Sequence, residues 1–217
     1  EYREVHQKAA VLYRKQARFQ LITTGKISQK QLLFEEQHLE RLRKASRYFA
    51  YSFDVEDLRQ KIEAECQACD VNQDYRLRIS LSKSGEIELS RQILTPLSPT
   101  FCQAQLYLQE ADLQQAFTYF KTTHRPHLSL GEQEIIYHNE IGELLETSIG
   151  NLVLKIAGKL YTPPVRLGIL PGIYRQHLLE TGQVEEKDLT IEDLKGAEAI
   201  YGCNAVRGLY ELSVREN

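Results

Sequence analysis

Lys121 and Glu146 are two ionisable residues whose positions in the chain could support covalent chemistry. Lys121 lies in the aromatic segment Tyr119-Phe120-Lys121 and not in a charged run. A lysine that loses hydration among aromatic rings has a lowered pKa, which suits Schiff-base formation, although an edge lysine that extends to solvent explains the position alone more simply. Glu146 follows two leucines and precedes small residues, so its carboxylate needs a partner, and a cationic ring nitrogen would serve.

The segment Leu170-Pro171-Gly172 suggests a second kind of chemistry, which is anion binding. Proline and glycine interrupt the chain immediately before an amphipathic stretch that predicts a helix to about Glu180. The start of a helix has unpaired N–H groups and the positive end of the helix dipole, which together hold phosphate or carboxylate groups. Because every helix has such a start, the segment by itself is more typical of a structural turn.

The cysteines and histidines give weaker signals. Cys66-x-x-Cys69 has the spacing of a redox or metal pair, but both residues fall on the apolar face of a predicted helix and no second pair exists. We therefore interpret them as small core residues. The stretch His124-Arg125-Pro126-His127 has no spaced carboxylate or cysteine to complete a set of ligands. The sequence predicts no metal site.

Taken in order along the chain, these residues resemble the motif set of the class IV aminotransferase-like enzymes of fold type IV, which use pyridoxal phosphate. The resemblance covers about residues 19–214. It rests on six segments, which are Phe34–Leu42 (FEEQHLERL), Lys121–Arg125 (KTTHR), Glu146–Leu152 (ETSIGNL), Leu160–Pro164 (LYTPP), Leu170–Arg175 (LPGIYR) and Cys203–Gly208 (CNAVRG).

The resemblance implies a role for each candidate residue. Lys121 matches the lysine that joins the cofactor covalently, and Glu146 matches the carboxylate that keeps the pyridine nitrogen protonated as an electron sink. Arg41 matches the arginine that binds the cofactor phosphate. The residues that would complete the phosphate site are Gly172, Ile173, Tyr174, Asn204 and Ala205. Thr24 belongs to a strand on the substrate side and is a candidate proton donor to the leaving group.

The segments are most similar to the branch of this family that acts on 4-amino-4-deoxychorismate. The resemblance therefore implies a lyase that forms 4-aminobenzoate and pyruvate for folate synthesis. It also implies a homodimer acting on a small-molecule substrate, with a fused or associated aminodeoxychorismate synthase as partner. Two alternatives stay open, namely a branched-chain or D-amino acid aminotransferase of the same fold, and a degenerate domain without cofactor. Residues 101–110 contain no arginine for a substrate carboxylate.

The elements that must position these residues are of the α+β class in both halves of the chain, as in the two-lobed fold of D-amino acid aminotransferases. Residues 1–18 predict an amphipathic helix that could link to a fused partner. We expect a small domain over 19–109 and a larger cofactor-binding domain over 110–217, with the cofactor between them. The pattern also predicts a turn near Gly25, a linker at Glu110–Phe117 and a strand around Tyr119–Thr123.

The composition limits the remaining classes of function. The chain has 217 residues, of which 42% are hydrophobic and 26% charged, and its net charge is −3. These values fit one large folded domain or two smaller ones and do not fit disorder. The 27 Lys and Arg residues do not exceed the 30 Asp and Glu residues, so nucleic acid is not favoured. We expect no membrane span and no signal peptide, and hence a cytoplasmic protein.

Overall fold

The computed structural model describes residues 18–109, 115–129 and 131–214. Most of the predicted N-terminal helix and most of the predicted linker, residues 1–17 and 110–114, lie outside the described residues. Within the described ranges, no helix combines the length and apolar character that crossing a membrane requires.

The first part of the chain forms a four-stranded antiparallel sheet that packs against two helices. Its elements are β1 (Leu21–Ser28), β2 (Gln31–Leu32), α1 (Glu35–Phe49), α2 (Val55–Gln67), β3 (Tyr75–Leu81) and β4 (Ile87–Ile93), with strand order β2-β1-β3-β4. Apolar side chains of α1, α2 and the inner face of the sheet form one buried core. Cys66 and Cys69 belong to this core, and burial raises the pKa of the Cys66 thiol to about 11.

The rest of the described chain builds a second, larger sheet. Its strands are β5 (Gln103–Leu108), β6 (Ile135–His138), β7 (Leu144–Thr147), β8 (Asn151–Ile156), β9 (Lys159–Thr162), β10 (Glu185–Glu186), β11 (Ala199–Asn204) and β12 (Gly208–Val214). The strand order is β10-β9-β8-β11-β12-β5-β6-β7, and β7 also pairs with β8, so six strands close into a ring. The helices of this part are α3 (Gln115–Tyr119), α4 (Ile173–Glu180) and α5 (Ile191–Lys195).

Two sheets with packed helices confirm the predicted α+β class. Strand β5 lies within the predicted small domain, 19–109, yet it pairs with β12 and β6 of the second sheet. The second sheet therefore begins at Gln103, and the division of the chain into 19–109 and 110–217 stays a prediction.

The predicted turn near Gly25 is wrong, because β1 continues through this residue to Ser28. Glycine serves a packing purpose here. A Cβ at Gly25 would lie 2.6 Å from His38 Nε2 and 2.7 Å from Leu32 Cδ1, so only glycine lets α1 approach the strand closely. Next to it, the Thr23 hydroxyl and His38 Nδ1 form a buried 2.6 Å hydrogen bond that fixes α1 on β1.

Replacing Gly25 with alanine is therefore expected to destabilise the fold by about 1–3 kcal/mol, because the added methyl group overpacks a buried contact. Urea unfolding of the variant measures this free energy. Gly196→Ala is the matched control, since the nearest heavy atom to its new Cβ would lie at an ordinary 3.6 Å. An equal loss of stability in both variants would contradict the packing explanation.

The predicted strand around Tyr119–Thr123 is also wrong in its first part, where α3 extends to Tyr119. The helical turn places Phe117 and Phe120 against Phe49 of α1, with ring centroids 5.7 and 5.3 Å away. After the helix, Thr122 forms a single bridge with Leu21 of β1. The carbonyl of Lys121 accepts a 2.9 Å hydrogen bond from Ile22 N. The first sheet thus fixes the backbone of Lys121.

Candidate active site

Two adjoining cavities lie between the two sheets and share the residues Thr24, Lys121, Arg125, Ile149 and Asn204. The second cavity has a volume of about 380 Å³. Eight of the nine predicted site residues line the first cavity, and these are Thr24, Arg41, Lys121, Glu146, Gly172, Ile173, Asn204 and Ala205. Tyr174 is not among its lining residues, because its ring packs against Phe34 and lies 3.4 Å from the position of a Cβ at Gly208.

Lys121 lines both cavities. Burial, together with the positive charges of Arg125 and Arg41, lowers the pKa of Lys121 from 10.5 to about 7, and the charge of Glu146 opposes this shift. Within the described part of the chain, no hydrogen bond or ion pair restrains the amine. A large share of this lysine is therefore a neutral nucleophile near pH 7.

The pH dependence of Lys121 labelling tests this pKa. Below pH 6 the ammonium form prevails and labelling by an amine reagent is expected to be slow. The rate is expected to rise through a midpoint at about pH 7 and to level off by about pH 8.5, because the native pKa lies well below 10.5. Peptide mass spectrometry measures the rate, with exposed Lys83 as internal reference for reagent decay. A Lys121 rate that still climbs steeply above pH 9 would contradict this prediction.

Glu146, on β7, lines the first cavity and is only 2% exposed. Its Oε1 accepts a 3.1 Å hydrogen bond from Arg125 Nη2, and its Oε2 accepts one of 3.4 Å from Leu170 N. Burial raises the pKa of Glu146, and the charge of Arg125 opposes that rise. His127 Nε2 lies 4.0 Å from Oε1, but burial lowers the pKa of this imidazole to about 4 and keeps it neutral. The carboxylate can thus pair with a further cationic group.

Arg41 extends from α1 of the first part of the chain to the second. Its Nη2 donates a 2.8 Å hydrogen bond to the carbonyl of Pro171, immediately before α4. Burial and the nearby charge of Arg125 lower the pKa of Arg41 to about 10, so the guanidinium is still charged at pH 7. The cation therefore lies beside the start of a helix.

That helix start and a neighbouring turn present backbone donors at the same place. In the described part of the chain, no side chain caps α4 at Gly172, so the N–H groups of its first turn are available as donors. A Cβ on Gly172 would lie 1.9 Å from Asn151 Oδ1, so glycine permits the close packing of the helix start. The Asn204 Oδ1 accepts hydrogen bonds from Val206 N and Arg207 N, both 2.9 Å, which fixes the turn that carries Ala205. Together with Arg41 these groups form an anion-binding set.

Thr23 and Thr24 point to opposite faces of β1, as successive strand residues do. Thr23 is fully buried and bonds to His38, whereas Thr24 lines both cavities. Burial lowers the pKa of His38 to about 3, so this imidazole is neutral. Of these two threonines, only Thr24 can reach a molecule bound in the cavities.

The sequence does not assign roles to four further residues at the site, which are Arg76, Arg78, Arg125 and Glu134. The two β3 arginines line the second cavity and Arg125 lines both. Glu134 is fully buried and accepts hydrogen bonds from the Ser148 hydroxyl, from Tyr210 OH at 2.9 Å and from Ile149 N at 3.3 Å. It thereby fixes the turn between β7 and β8 that borders both cavities.

The chain is similar to known proteins in sequence and in fold. The family model for amino-transferase class IV matches residues 20–213. The aminodeoxychorismate lyase of Saccharomyces cerevisiae is 26% identical over 196 residues, covering 66% of this chain and 52% of the yeast protein. A Schizosaccharomyces pombe protein provisionally given the same name is 24% identical over 190 residues, covering 78% of this chain and 79% of its own length. The chain thus spans about half the length of the first relative.

A solved structure from Mesorhizobium loti, provisionally described as an amino-acid aminotransferase, superposes with a TM-score of 0.79. It is 27% identical, and the match covers 91% of this chain and 100% of that one. The match to the family model extends over most of the chain and includes both sheets and the cavities between them. The chain belongs to the class IV aminotransferase family, whose members are pyridoxal phosphate-dependent enzymes.

Proposed function

We propose that this chain binds pyridoxal phosphate and acts as a lyase that converts 4-amino-4-deoxychorismate to 4-aminobenzoate and pyruvate. The observation that carries the proposal is that Lys121, Glu146 and Arg41 line one cavity together with the start of α4. The similarity to two fungal proteins named as aminodeoxychorismate lyases supports the choice of reaction.

The donor set of the first cavity fits the three functional parts of this cofactor. Arg41, the free N–H groups at the start of α4 and the Ala205 turn suit a phosphate dianion. Glu146 suits a protonated ring nitrogen, and the amine of Lys121 suits an aldehyde. Arg125 has a buried Nε without a hydrogen-bond partner among the described residues, which leaves a donor for a bound molecule.

The proposed reaction needs a base, an electron acceptor and a proton donor. When bound, pyridoxal phosphate supplies an aldehyde that condenses with an amine and a protonated ring that accepts electrons. Lys121, released by the substrate amine, takes the proton from the ring carbon that bears this amine. The C–O bond at the neighbouring carbon then breaks, and pyruvate leaves as its enol while the ring becomes aromatic. Lys121 or the Thr24 hydroxyl returns a proton to the leaving group.

Replacing Arg41 with alanine is expected to weaken binding of pyridoxal phosphate about tenfold to a hundredfold, because a charge-assisted contact is lost while the backbone donors remain. Absorbance titration of the apoprotein measures the dissociation constant. Arg47→Ala, at an exposed position of the same helix, is the matched control and should leave that constant unchanged. Equal affinities of wild type and Arg41→Ala for pyridoxal phosphate would refute the proposed role of Arg41 in binding the phosphate.

Two measurements test the function. The first is the appearance of the cofactor's absorbance band on the protein and its change with borohydride. The second is pyruvate release in a mixture of chorismate, an ammonium salt, an ammonia-using aminodeoxychorismate synthase and this protein. Cofactor-dependent pyruvate release supports the lyase. Bound cofactor without pyruvate release refutes it, and a colourless protein that borohydride does not change favours the degenerate domain.

An aminotransferase is the second candidate, and the similarity to the Mesorhizobium loti protein over its full length favours it. Lys121 and Glu146 would serve both reactions, so they do not discriminate between them. Transfer of an amino group from a branched-chain or D-amino acid to a 2-oxo acid, seen as reversible spectral cycling, would support this candidate.

We also propose, on the family resemblance alone, a homodimer and a fused or associated aminodeoxychorismate synthase as partner. Light scattering that gives the mass of one chain would refute the dimer. Faster 4-aminobenzoate formation with the synthase at the same enzyme concentrations would support the partnership, and an unchanged rate would count against it.

A further inference from the structure

Strand β3 presents two arginines to the second cavity. Arg76 and Arg78 are two residues apart, so both side chains lie on one face of the sheet, while Leu77 and Ile79 point to the core. In the antiparallel pairing with β1, Arg78 lies directly opposite Thr24. The arginine pair is therefore next to the hydroxyl that we assign to proton transfer.

The charges at the second cavity are unbalanced. Among the described residues, its lining includes Arg76, Arg78, Lys121 and Arg125 but no aspartate or glutamate. Arg125 has its counter-charge in Glu146, on the side of the first cavity. The side chains of Arg76 and Arg78 make no hydrogen bond or ion pair with any described residue. Burial lowers the pKa of Arg76, and the charges of Arg78 and Arg207 lower it further.

A cationic pair without a partner among the described residues fits an anionic ligand, and the spacing of the two arginines indicates how many charges that ligand has. Two residues along a strand separate the arginine Cα atoms by about 6.6 Å. Each guanidinium can bind one carboxylate through two parallel hydrogen bonds. An amine with one carboxylate would satisfy one guanidinium and leave the other, which is half-buried, without a partner among the described residues.

We propose that Arg76 and Arg78 are specificity-determining residues that bind the two carboxylates of a dicarboxylate substrate, one each. This inference rests on the proposed lyase, because the ring carboxylate and the enolpyruvyl carboxylate of its substrate are the two anions. The two arginines select against amino acids with a single carboxylate, which a branched-chain or D-amino acid aminotransferase would use. It also orients the ether carbon toward Thr24, which lies opposite Arg78.

Chorismate is a suitable probe, since it has both carboxylates but a hydroxyl in place of the amine and cannot condense with the cofactor. Its binding to the cofactor-loaded protein is compared by calorimetry with that of 4-hydroxybenzoate, which has one carboxylate. We expect chorismate to bind at least about tenfold more tightly. Arg76→Gln and Arg78→Gln should each weaken chorismate binding about tenfold to a hundredfold, and no more than one of them should weaken 4-hydroxybenzoate binding.

Arg47→Gln is the control for the change in charge and should bind chorismate like wild type. Arg78→Lys keeps the positive charge but cannot form the bidentate hydrogen bonds of a guanidinium, so its affinity for chorismate should lie between those of wild type and Arg78→Gln. Thermal unfolding of each variant verifies that the fold is intact. Equal affinities for chorismate and 4-hydroxybenzoate, or chorismate binding unchanged in both glutamine variants, would overturn the inference.

The failure of this inference can be told apart from the failure of the proposed function. Cofactor absorbance is recorded for every variant, and pyruvate release is measured in parallel. If chorismate binds through both arginines but no pyruvate forms, the lyase proposal fails and the dicarboxylate site stands. If pyruvate forms at the wild-type rate and KM in both glutamine variants, the lyase stands and the dicarboxylate site fails.

Discussion

Replacing Lys121 with alanine is expected to reduce the rate of the proposed lyase reaction by at least about 10⁴-fold, because in the proposed mechanism this one side chain provides both the covalent attachment and the base. The amine of Lys121 has a pKa of about 7, lowered by burial and by neighbouring arginines, so it is available as a base at neutral pH. No other lysine lines either cavity in the described part of the chain. Arg41 and the start of α4 remain, so the variant should still bind the cofactor by its phosphate.

Borohydride reduction followed by mass spectrometry separates loss of chemistry from loss of binding. Wild type should gain the mass of one reduced cofactor on the peptide with Lys121, and Lys121→Ala should gain none. Lys121→Arg should also fail, because a guanidinium does not lose its proton near neutral pH. Lys83→Ala, at an exposed turn, should keep full activity. Substantial pyruvate release by Lys121→Ala would remove the pyridoxal mechanism from this protein.

Elements with strong local signals could be predicted from the sequence. Asp54 caps α2 by accepting hydrogen bonds from Glu56 N and Asp57 N, as its position before an apolar periodic segment predicts. Thr190 and Asp193 form a capping box at the start of α5, as the local pattern Thr-x-x-Asp predicts. In each case the side chain and the backbone groups that it satisfies are within three residues, so the pattern contains the whole interaction.

Elements that depend on distant contacts could not be predicted in this way. Gly25 resembles a turn residue, but it lies within a strand where His38 of α1 packs directly against it. The arginines of β3 alternate with core residues, a pattern typical of a solvent face, yet the second sheet covers that face and makes it a cavity wall. Glu134 receives its hydrogen bonds from residues 14 and 76 positions away. No local pattern indicates such partners.

The resemblance to a family could predict which residues line the first cavity, because it implies that these residues hold one molecule. Lys121 and Glu146 are 25 positions apart and on different structural elements, so spacing alone does not bring them together. Lys121 is fixed by β1, whereas Glu146 belongs to β7, and the packing of one sheet against the other makes them neighbours. Their catalytic roles stay predictions until the variants are measured.

Glu146→Gln is expected to lower the lyase rate about 10²–10³-fold, because a neutral amide cannot stabilise a protonated ring nitrogen in a buried site. The same change leaves Arg125 without its buried counter-charge. Cofactor attachment to Lys121 should persist, since the amine and the phosphate site are unchanged. Borohydride trapping should therefore be normal while the rate of pyruvate release falls.

The pH profile distinguishes this electrostatic role of Glu146 from a merely structural one. The negative charge of Glu146 raises the pKa of Lys121, so its removal should move that pKa below its value of about 7. The acidic limb of Lys121 labelling should then shift to lower pH in Glu146→Gln. Glu146→Asp keeps the negative charge, so the pH midpoint of Lys121 labelling should stay near its wild-type value. Glu140→Gln, at an exposed turn, should change neither the rate of pyruvate release nor the labelling profile. A reduced rate with an unshifted labelling profile would mean that Glu146 acts through packing and not through its charge.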